Sequence, residues 1–272
     1  MRHRLAAAFV ALLLGALSAC TQDVAPVSSE QEPEGQEDID SIETPKLGTC
    51  RILDAADIEQ SSNASEVVDC KDDHTAETFA VGTFPQRLTD GAGADNPGLG
   101  AYIFDVCSKR FLRFVGGEES SVLRSTLNWA WFRPSDEAWD KGARWYRCDV
   151  VGGGDQVSGF IALPKTAKGL LLGKPADEWM VCVNAPDVVG APRIPCSEPH
   201  TWRAISTIVL GDAKDPYPGD RLVEVKTRDY CSDQVAYWLN NPIDYDFGYT
   251  YFHEAEWKTG NRRSICWANT DQ

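Results

Sequence analysis

Two ten-residue stretches of the chain share one pattern, WDKGARWYRC at residues 139–148 and WKTGNRRSIC at residues 257–266. Both fit Trp-x-x-Gly-x-Arg-x-x-x-Cys without a gap. The same four residue types at the same four positions, twice in one chain, indicate an internal duplication. In each stretch the glycine favours a turn, and a short strand that ends on the cysteine follows it.

Further landmarks precede both stretches in the same order. They are CKDDHT (70–75) with CSEPHT (196–201), Cys107-Ser108 with Cys231-Ser232, and Trp129 and Trp131 with Phe247 and Tyr249. Agreement of this kind, in one order, is typical of a tandem repeat. We therefore predict repeat 1 over residues 47–165 and repeat 2 over residues 166–272.

Each repeat has the pattern strand, strand, helix, strand, strand. A first strand carries the first cysteine, and alternating apolar residues around Phe79 and Ile205 predict the second. Helical spacing surrounds the third cysteine, Cys107 or Cys231, and an aromatic strand and a last strand close the unit. The predicted fold class is α+β, with mainly antiparallel sheets in two tandem repeats that are stapled by disulfides.

Residues 1–19 have the pattern of a secretory signal peptide. Arg2 and Arg4 give it a positive start, and the apolar run from Leu5 to Leu17 is too short to cross a bilayer. The segment ends Leu-Ser-Ala-Cys20, which resembles the lipobox of bacterial lipoproteins and implies that Cys20 carries the lipid. An ordinary cleavage site beside a chance cysteine is the alternative. We expect a lipid-anchored protein on the extracytoplasmic side of the cell membrane.

Residues 20–46 form an acidic tether. From Thr21 onward the stretch holds eight acidic residues against Lys46 alone, and it has no aromatic residue. It cannot bury enough apolar surface to fold, so we predict a disordered spacer, with an acidic docking tail as the alternative.

The chain is strongly acidic. Its formal net charge is −15; residues 1–20 contribute +2 and residues 21–46 contribute −7, which leaves −10 for residues 47–272. This balance argues against nucleic acid as a partner, because binding to phosphates needs a basic surface. It also argues against electrostatic adhesion to anionic lipid or to acidic wall polymers.

Eight of the nine cysteines lie in the repeats, four in each. An even number in an oxidising compartment indicates disulfides. The first two cysteines of each repeat lie on consecutive strands, and the last two join the helix to the last strand. Crossed pairings remain possible from sequence alone, but this placement favours four bonds: Cys50–Cys70, Cys107–Cys148, Cys182–Cys196 and Cys231–Cys266.

The lipobox, the acidic linker and the duplicated Cys-x-x-x-His-Thr and Trp-x-x-Gly-x-Arg-x-x-x-Cys motifs resemble the septum formation family of actinobacterial envelope proteins. CSEPH at residues 196–200 is the closest local match, whereas CKDDH at residues 70–74 keeps only the ends of the motif. The resemblance covers residues from about 47 to 270. It implies an extracytoplasmic domain linked to division or to the cell envelope, and it implies no known reaction and no catalytic residues.

His74 and His200 occupy equivalent positions and are the first candidates for chemistry. Either imidazole could act as a general base, with Asp73 or Glu198 as the nearby acid, or could ligate a metal. The interpretation that we favour is structural: each histidine, four residues after a disulfide cysteine, caps or hydrogen-bonds the start of the second strand. A zinc site shared with the neighbouring cysteines is disfavoured, because an oxidising compartment leaves few thiolates.

Aromatic residues supply two further candidates. Trp139 with Arg144, and Trp257 with Arg262, can stack ring against guanidinium, either as a platform for a sugar or peptide or as a staple for the closing hairpin. The tyrosines of the second aromatic strand share one face, which forms a glycan- or protein-facing stripe if no other element covers it. They are Tyr245, Tyr249 and Tyr251.

The sequence contains no nucleophile elbow, Walker segment, HExxH or GxGxxG motif. We therefore predict a non-enzymatic lipoprotein, without cofactor or metal, whose duplicated domain presents a binding or assembly surface. Its expected partners are the membrane, through the lipid, and an envelope or division protein or a wall component. The alternatives are a wall hydrolase or metal-dependent enzyme that uses His74 or His200, and a small-ligand carrier with a pocket between the halves.

Overall fold

The computed structural model of the chain describes residues 44–153, 157, 159–212 and 214–270. The predicted signal peptide, Cys20 and the tether up to residue 43 lie outside the described residues. No helix in the described part is long and apolar enough to cross a membrane.

Repeat 1 contains five strands and five helices among its described residues. In chain order they are β1 (Cys50–Arg51), α1 (Ala55–Ile58), β2 (Val67–Val68), β3 (Ala76–Thr83), α2 (Gln86–Thr89), α3 (Pro97–Val115), α4 (Glu119–Leu123), β4 (Asn128–Phe132), α5 (Asp136–Asp140) and β5 (Trp145–Val151).

Repeat 2 contains the counterparts of these five strands and of the long helix. In chain order its elements are a 3-10 helix (Asp177–Trp179), β6 (Val181–Val183), β7 (Arg193–Pro195), β8 (Trp202–Val209), α6 (Asp220–Trp238), β9 (Phe247–Thr250), α7 (Glu254–Lys258) and β10 (Arg263–Asn269).

The two sheets have the same topology. Their strand orders are β2-β1-β3-β5-β4 and β7-β6-β8-β10-β9, and every strand pair in them is antiparallel. A bulge occurs at the same place in each, at Phe79 in β3 and at Ile205 in β8. The α+β fold in two tandem repeats is confirmed, and each repeat has one short strand more than predicted, β2 or β7.

Each long helix covers its sheet with a stripe of buried residues at four-residue spacing. The stripe is Leu99, Ile103, Cys107, Phe111 and Val115 in α3, and Val223, Thr227, Cys231 and Val235 in α6. In α3 the side chain of Asn96 accepts a hydrogen bond from the amide of Gly98, and the left-handed Gly116 ends the helix. One helix face therefore buries apolar surface against one sheet face in both repeats.

The four disulfides join the cysteines that the sequence analysis paired. The bonds are Cys50–Cys70, Cys107–Cys148, Cys182–Cys196 and Cys231–Cys266. The first bond of each repeat ties the first strand to the segment after the short strand, and the second ties the long helix to the last strand. All eight cysteines of the repeats therefore hold the fold.

The closing segment of each repeat includes a short helix that the sequence analysis did not predict. Trp139 lies in α5 and Trp257 in α7, and each helix leads into the predicted turn. Gly142 and Gly260 take φ values of +101° and +103° there, a conformation that side chains disfavour. This backbone requirement explains why glycine stands at both positions.

Residues 160–176 span the predicted boundary between the repeats, and we call them the inter-repeat segment. This segment packs back onto repeat 1. The amide of Leu163 donates to the carbonyl of His74 (2.7 Å), and the amide of Leu171 donates to that of Val115 (2.8 Å). The Glu77 carboxylate accepts from Thr166 Oγ1 (2.9 Å) and from the amide of Ala167 (2.7 Å). The inter-repeat segment thus fills the groove between β3 and the C-terminal end of α3, which we call the repeat 1 groove.

The two repeats touch directly and belong to one compact unit. The amide of Val181 donates to the carbonyl of Arg124 (2.8 Å) at the start of repeat 2. Thr207 Oγ1 donates to Ser120 Oγ (2.8 Å), and Arg263 forms an ion pair with Glu119 (2.9 Å). Helix α4 of repeat 1 therefore contacts the sheet of repeat 2 through side chains.

Candidate functional site

The two equivalent histidines are buried in the same way. His74 is 1% exposed and His200 is 4% exposed. Nδ1 of His74 lies 2.8 Å from the carbonyl oxygen of Asp72, and Nδ1 of His200 lies 2.8 Å from that of Glu198. A carbonyl can only accept, so each Nδ1 carries the hydrogen and donates it. The rings brace the turn that leads into the second strand.

In this structure neither histidine ring reaches an open surface. A general base has to come within hydrogen-bond reach of the proton that it removes, and both rings are closed off from solvent. His200 contacts the main chain of Glu198 and not its carboxylate. Over the described ranges, no group of three or more His, Cys, Asp or Glu residues is arranged to hold a metal ion.

The repeated Trp–Arg pairs stack as the sequence analysis proposed. The guanidinium carbon of Arg144 lies 4.2 Å from the ring centroid of Trp139, and that of Arg262 lies 3.5 Å from that of Trp257. Each arginine also donates from Nη1 to the carbonyl of its tryptophan at 2.6 Å. The two indoles are 3% and 5% exposed, so the pairs act as staples within the fold and do not offer open ring faces.

The tyrosine stripe of repeat 2 is covered by helix α6. Tyr245 and Tyr249 pack against the cluster around Cys231, and the Tyr249 and Tyr251 rings stack with centroids 6.3 Å apart. Tyr249 donates to Glu224 of α6 at 3.4 Å. Burial raises the pKa of both Tyr249 and Tyr251, and the negative charge of Glu224 adds to the shift. The three tyrosines are thus half-buried on a face that packs against repeat 2's core clusters.

A cavity of about 680 Å³ lies between the two repeats. Repeat 1 contributes the end of α3 at Gly116, helix α4 and Arg124, and the inter-repeat segment adds Lys174. Repeat 2 contributes residues 203–205 of β8, Trp238 at the end of α6, and Thr270 after β10. The side chain of Trp238 is 45% exposed, and the Thr270 hydroxyl is buried without a hydrogen-bond partner among the described residues.

The cavity carries an excess of positive charge. Three cationic residues line it, Arg124, Lys174 and Arg203, against Glu118 and Asp177. Arg203 donates to the exposed carboxylate of Asp177 at 2.6 Å. Burial lowers the pKa of Arg124; the carboxylate of Glu118 opposes this shift and the charge of Arg203 adds to it. The guanidinium groups of Arg124 and Arg203 thus repel each other at the wall of an open cavity. This local positive charge contrasts with the net charge of −10 for residues 47–272.

Comparison with known protein families finds a matching family. The sequence model of the Septum formation family matches residues 124–266, which is more than half of the chain. The chain belongs to the Septum formation family. The resemblance noted from the motifs is therefore confirmed. No curated protein and no solved structure matches the chain.

Membership of the Septum formation family links the chain to cell division or to the cell envelope, and the family is not a known enzyme family. The match begins at Arg124, on the wall of the cavity, and continues to Cys266 in β10. The stretch that defines the Septum formation relationship therefore includes Arg124, Lys174, Arg203 and Trp238.

The sequence analysis did not single out the residues of the cavity. One signal for them was present in the alignment of the repeats: Glu77 and Arg203 both stand three residues after the repeated histidine, with opposite charges. Residues that both repeats share form disulfides, turn contacts and ring–guanidinium stacks. Arg203 is a position at which the repeats differ in charge and which lines the cavity.

Proposed function

We propose that this Septum formation protein is a lipid-anchored, non-catalytic component of the cell envelope that binds an envelope or division protein. The observation that carries the proposal is the open cavity between the repeats, which is lined by Arg124, Lys174 and Arg203. The repeated candidates for chemistry, His74 and His200, are buried in the scaffold. The proposed function is therefore binding, at a surface that exists only because the domain is duplicated.

The proposed anchoring rests on the N-terminal sequence. The lipobox that ends at Cys20 supports lipidation, and the acidic stretch after it supports a spacer between the lipid and the folded repeats. A lipid with several acyl chains holds a protein at a membrane far more firmly than a single chain does. The expected location is the extracytoplasmic face of the cell membrane.

Depletion of the protein in its native host tests the proposal. Loss of the chain is expected to impair septation, and the wild-type chain is expected to restore it. A Cys20→Ser chain should lose the lipid, detected by mass spectrometry of the N-terminal peptide, leave the membrane fraction, and fail to restore septation. Normal septa in depleted cells would contradict the link to division, and full rescue by the released Cys20→Ser chain would contradict the need for an anchor.

The enzyme alternative is tested in the same cells. His74→Asn and His200→Asn keep a donor near the position of Nδ1 but remove the imidazole base. Both chains are expected to restore septation to the extent that they fold, because the rings act through the scaffold. Loss of septation with an unchanged unfolding temperature would contradict this expectation and favour catalysis.

The carrier alternative has one observation in its favour, the cavity between the halves. Its volume lies within the range of small-molecule pockets. Native mass spectrometry of the purified full-length protein separates the two functions. A co-purified small ligand of constant mass would favour the carrier, and a protein of unliganded mass is expected under our proposal.

A further inference from the structure

Repeat 1 shows how a polypeptide segment fills the groove beside its helix. The inter-repeat segment lies in the repeat 1 groove, with Leu163, Ala167 and Leu171 buried in the core of that repeat. Its backbone donates to the carbonyls of His74, Phe114 and Val115, so main-chain bonds hold the segment in place, first as a stretch without turns and then as a turn at residues 168–171. The Glu77 carboxylate fixes the middle of the stretch by accepting two hydrogen bonds.

The cavity occupies the corresponding position in repeat 2. Glu77 lies opposite Val150, two residues after Cys148, and Arg203 lies opposite Ala268, two residues after Cys266. Each long helix has an aromatic residue seven positions after its cysteine, Phe114 in α3 and Trp238 in α6. The members of these two pairs that belong to repeat 2, Arg203 and Trp238, line the cavity.

The backbone hydrogen bonds after the last strand are also equivalent in the two repeats. Gly152 donates to the carbonyl of Thr75 at 3.0 Å, and Thr270 donates to the carbonyl of Thr201 at 2.9 Å. Thr201 follows His200, just as Thr75 follows His74. The same backbone frame therefore surrounds both grooves, but none of the described residues fills the one in repeat 2.

The charge of the central residue is reversed between the two grooves. Glu77 can only accept hydrogen bonds, and it receives them from the hydroxyl and the amide of the segment above it. Arg203 can only donate; one of its bonds goes to the exposed carboxylate of Asp177, and Arg124 and Lys174 add two more cationic donors to the same cavity. An occupant of the second groove therefore has to offer acceptors, and a carboxylate matches guanidinium groups best.

We propose that this cavity binds a polypeptide segment of a partner protein that carries apolar side chains and at least one carboxylate. The inference rests on the proposed function and specifies the partner's chemistry. The carboxylate lies at Arg203, where Thr166 and Ala167 meet Glu77 in repeat 1. An apolar side chain covers Trp238, which is 45% exposed at the cavity wall.

Two synthetic peptides test the proposal on the full-length protein in detergent micelles. The first has the sequence of residues 163–172, and the second has the same sequence with Lys165→Glu, Thr166→Glu and Lys168→Glu. Calorimetric titration is expected to show at least tenfold tighter binding of the acidic peptide. Equal affinities, or no binding of either peptide at millimolar concentration, would overturn the proposal.

Charge-reversal variants test whether the peptides bind in the cavity. Arg203→Glu restores the charge that Glu77 has in repeat 1, and it should reverse the preference toward the unmodified peptide. Lys174→Glu, at an exposed position of the cavity wall, should weaken binding of the acidic peptide severalfold. Lys168→Glu makes the same charge change outside the cavity and should leave the affinity unchanged. An unaltered preference in Arg203→Glu, or equal effects of Lys174→Glu and Lys168→Glu, would overturn the proposal.

Circular dichroism shows whether each variant is folded, and Lys174→Glu keeps the test valid if Arg203→Glu is not. The two proposals can fail separately. If the peptide preference is absent but septation still depends on the chain, only the docking inference fails. If septation does not depend on the chain, the proposed function fails whatever the peptides do.

Discussion

At the scale of single residues, the side chains that both repeats share hold turns of the main chain. His74 and His200 each donate to a carbonyl two residues earlier, and Arg144 and Arg262 each donate to a carbonyl five residues earlier. The sequence motifs predicted both the pairing of these positions and the preference for a structural role. The sequence could not tell that the rings would be closed off from solvent, because their burial depends on residues far away in the chain.

Removal of the imidazole of His200 should destabilise the protein. His200→Ala loses the bond from Nδ1 to the Glu198 carbonyl and leaves a small void, so we expect a loss of about 1–3 kcal/mol in the free energy of unfolding. His200→Asn can still donate to the carbonyl and should recover part of this loss. Urea unfolding measures both, and an unchanged stability in His200→Ala would contradict the structural role.

Removal of the guanidinium of Arg262 should also destabilise the closing turn of repeat 2. Arg262→Met keeps the aliphatic part of the side chain but loses the stack on Trp257 and the bond to its carbonyl, for an expected loss of about 2 kcal/mol. Arg221→Met, at an exposed position at the start of α6, is the matched control and should change the unfolding midpoint little. Equal effects of the two variants would rule out the staple.

At the scale of elements, the two repeats use one topology with different sheet interiors. In β5, Arg147 and Asp149 form a buried ion pair at 3.0 Å, and Thr78 donates to Asp149 at 2.7 Å. Ile265 and Trp267 take the places of that pair in β10 and belong to an apolar cluster. The register of the sheets shows this correspondence, since Cys148 and Cys266 occupy the same position in the last strand.

The ion pair of repeat 1 should be sensitive to the loss of one partner. Asp149→Ala leaves the Arg147 charge buried without its carboxylate, and we expect a loss of about 3–5 kcal/mol in the free energy of unfolding. The double variant Arg147→Ile, Asp149→Leu makes this face apolar, as it is in repeat 2, and should lose less than Asp149→Ala alone. A double variant less stable than the single one, measured by urea unfolding, would contradict this account.

The elements that the sequence pattern revealed are those with a residue period or a landmark cysteine; the first strands β1 and β6, of two and three residues, were predicted around their cysteines. The long helices and the strands after the histidines are predicted by their apolar spacing. Strands β2 and β7 contain two and three residues, too few for an alternating pattern. Helices α5 and α7 contain five residues each, and only the Ser135 cap with the acidic residues after it marks the start of α5 in the sequence.

At the scale of the whole molecule, the proposed binding site depends on how the repeats meet. The cavity brings together Arg124, Lys174 and Arg203, which are far apart in the sequence. Their proximity depends on contacts between the repeats, such as the ion pair of Glu119 with Arg263. No local pattern encodes such contacts, so the sequence predicted the duplication and its disulfides, and it raised a pocket between the halves as an alternative without indicating the residues that line it. The reversal of charge between Glu77 and Arg203 was a sequence feature that pointed to a cavity residue.

Site-specific photo-crosslinking in dividing cells of the native host tests the central claim most directly. The claim is that an envelope or division partner binds in the cavity between the repeats. A photoreactive residue at position 174 is expected to form a covalent adduct with one envelope protein, and the adduct should be lost when Arg203→Glu is added. The same residue at position 168, outside the cavity, should form none. Adducts of equal yield from both positions, or no adduct from position 174, would contradict the account.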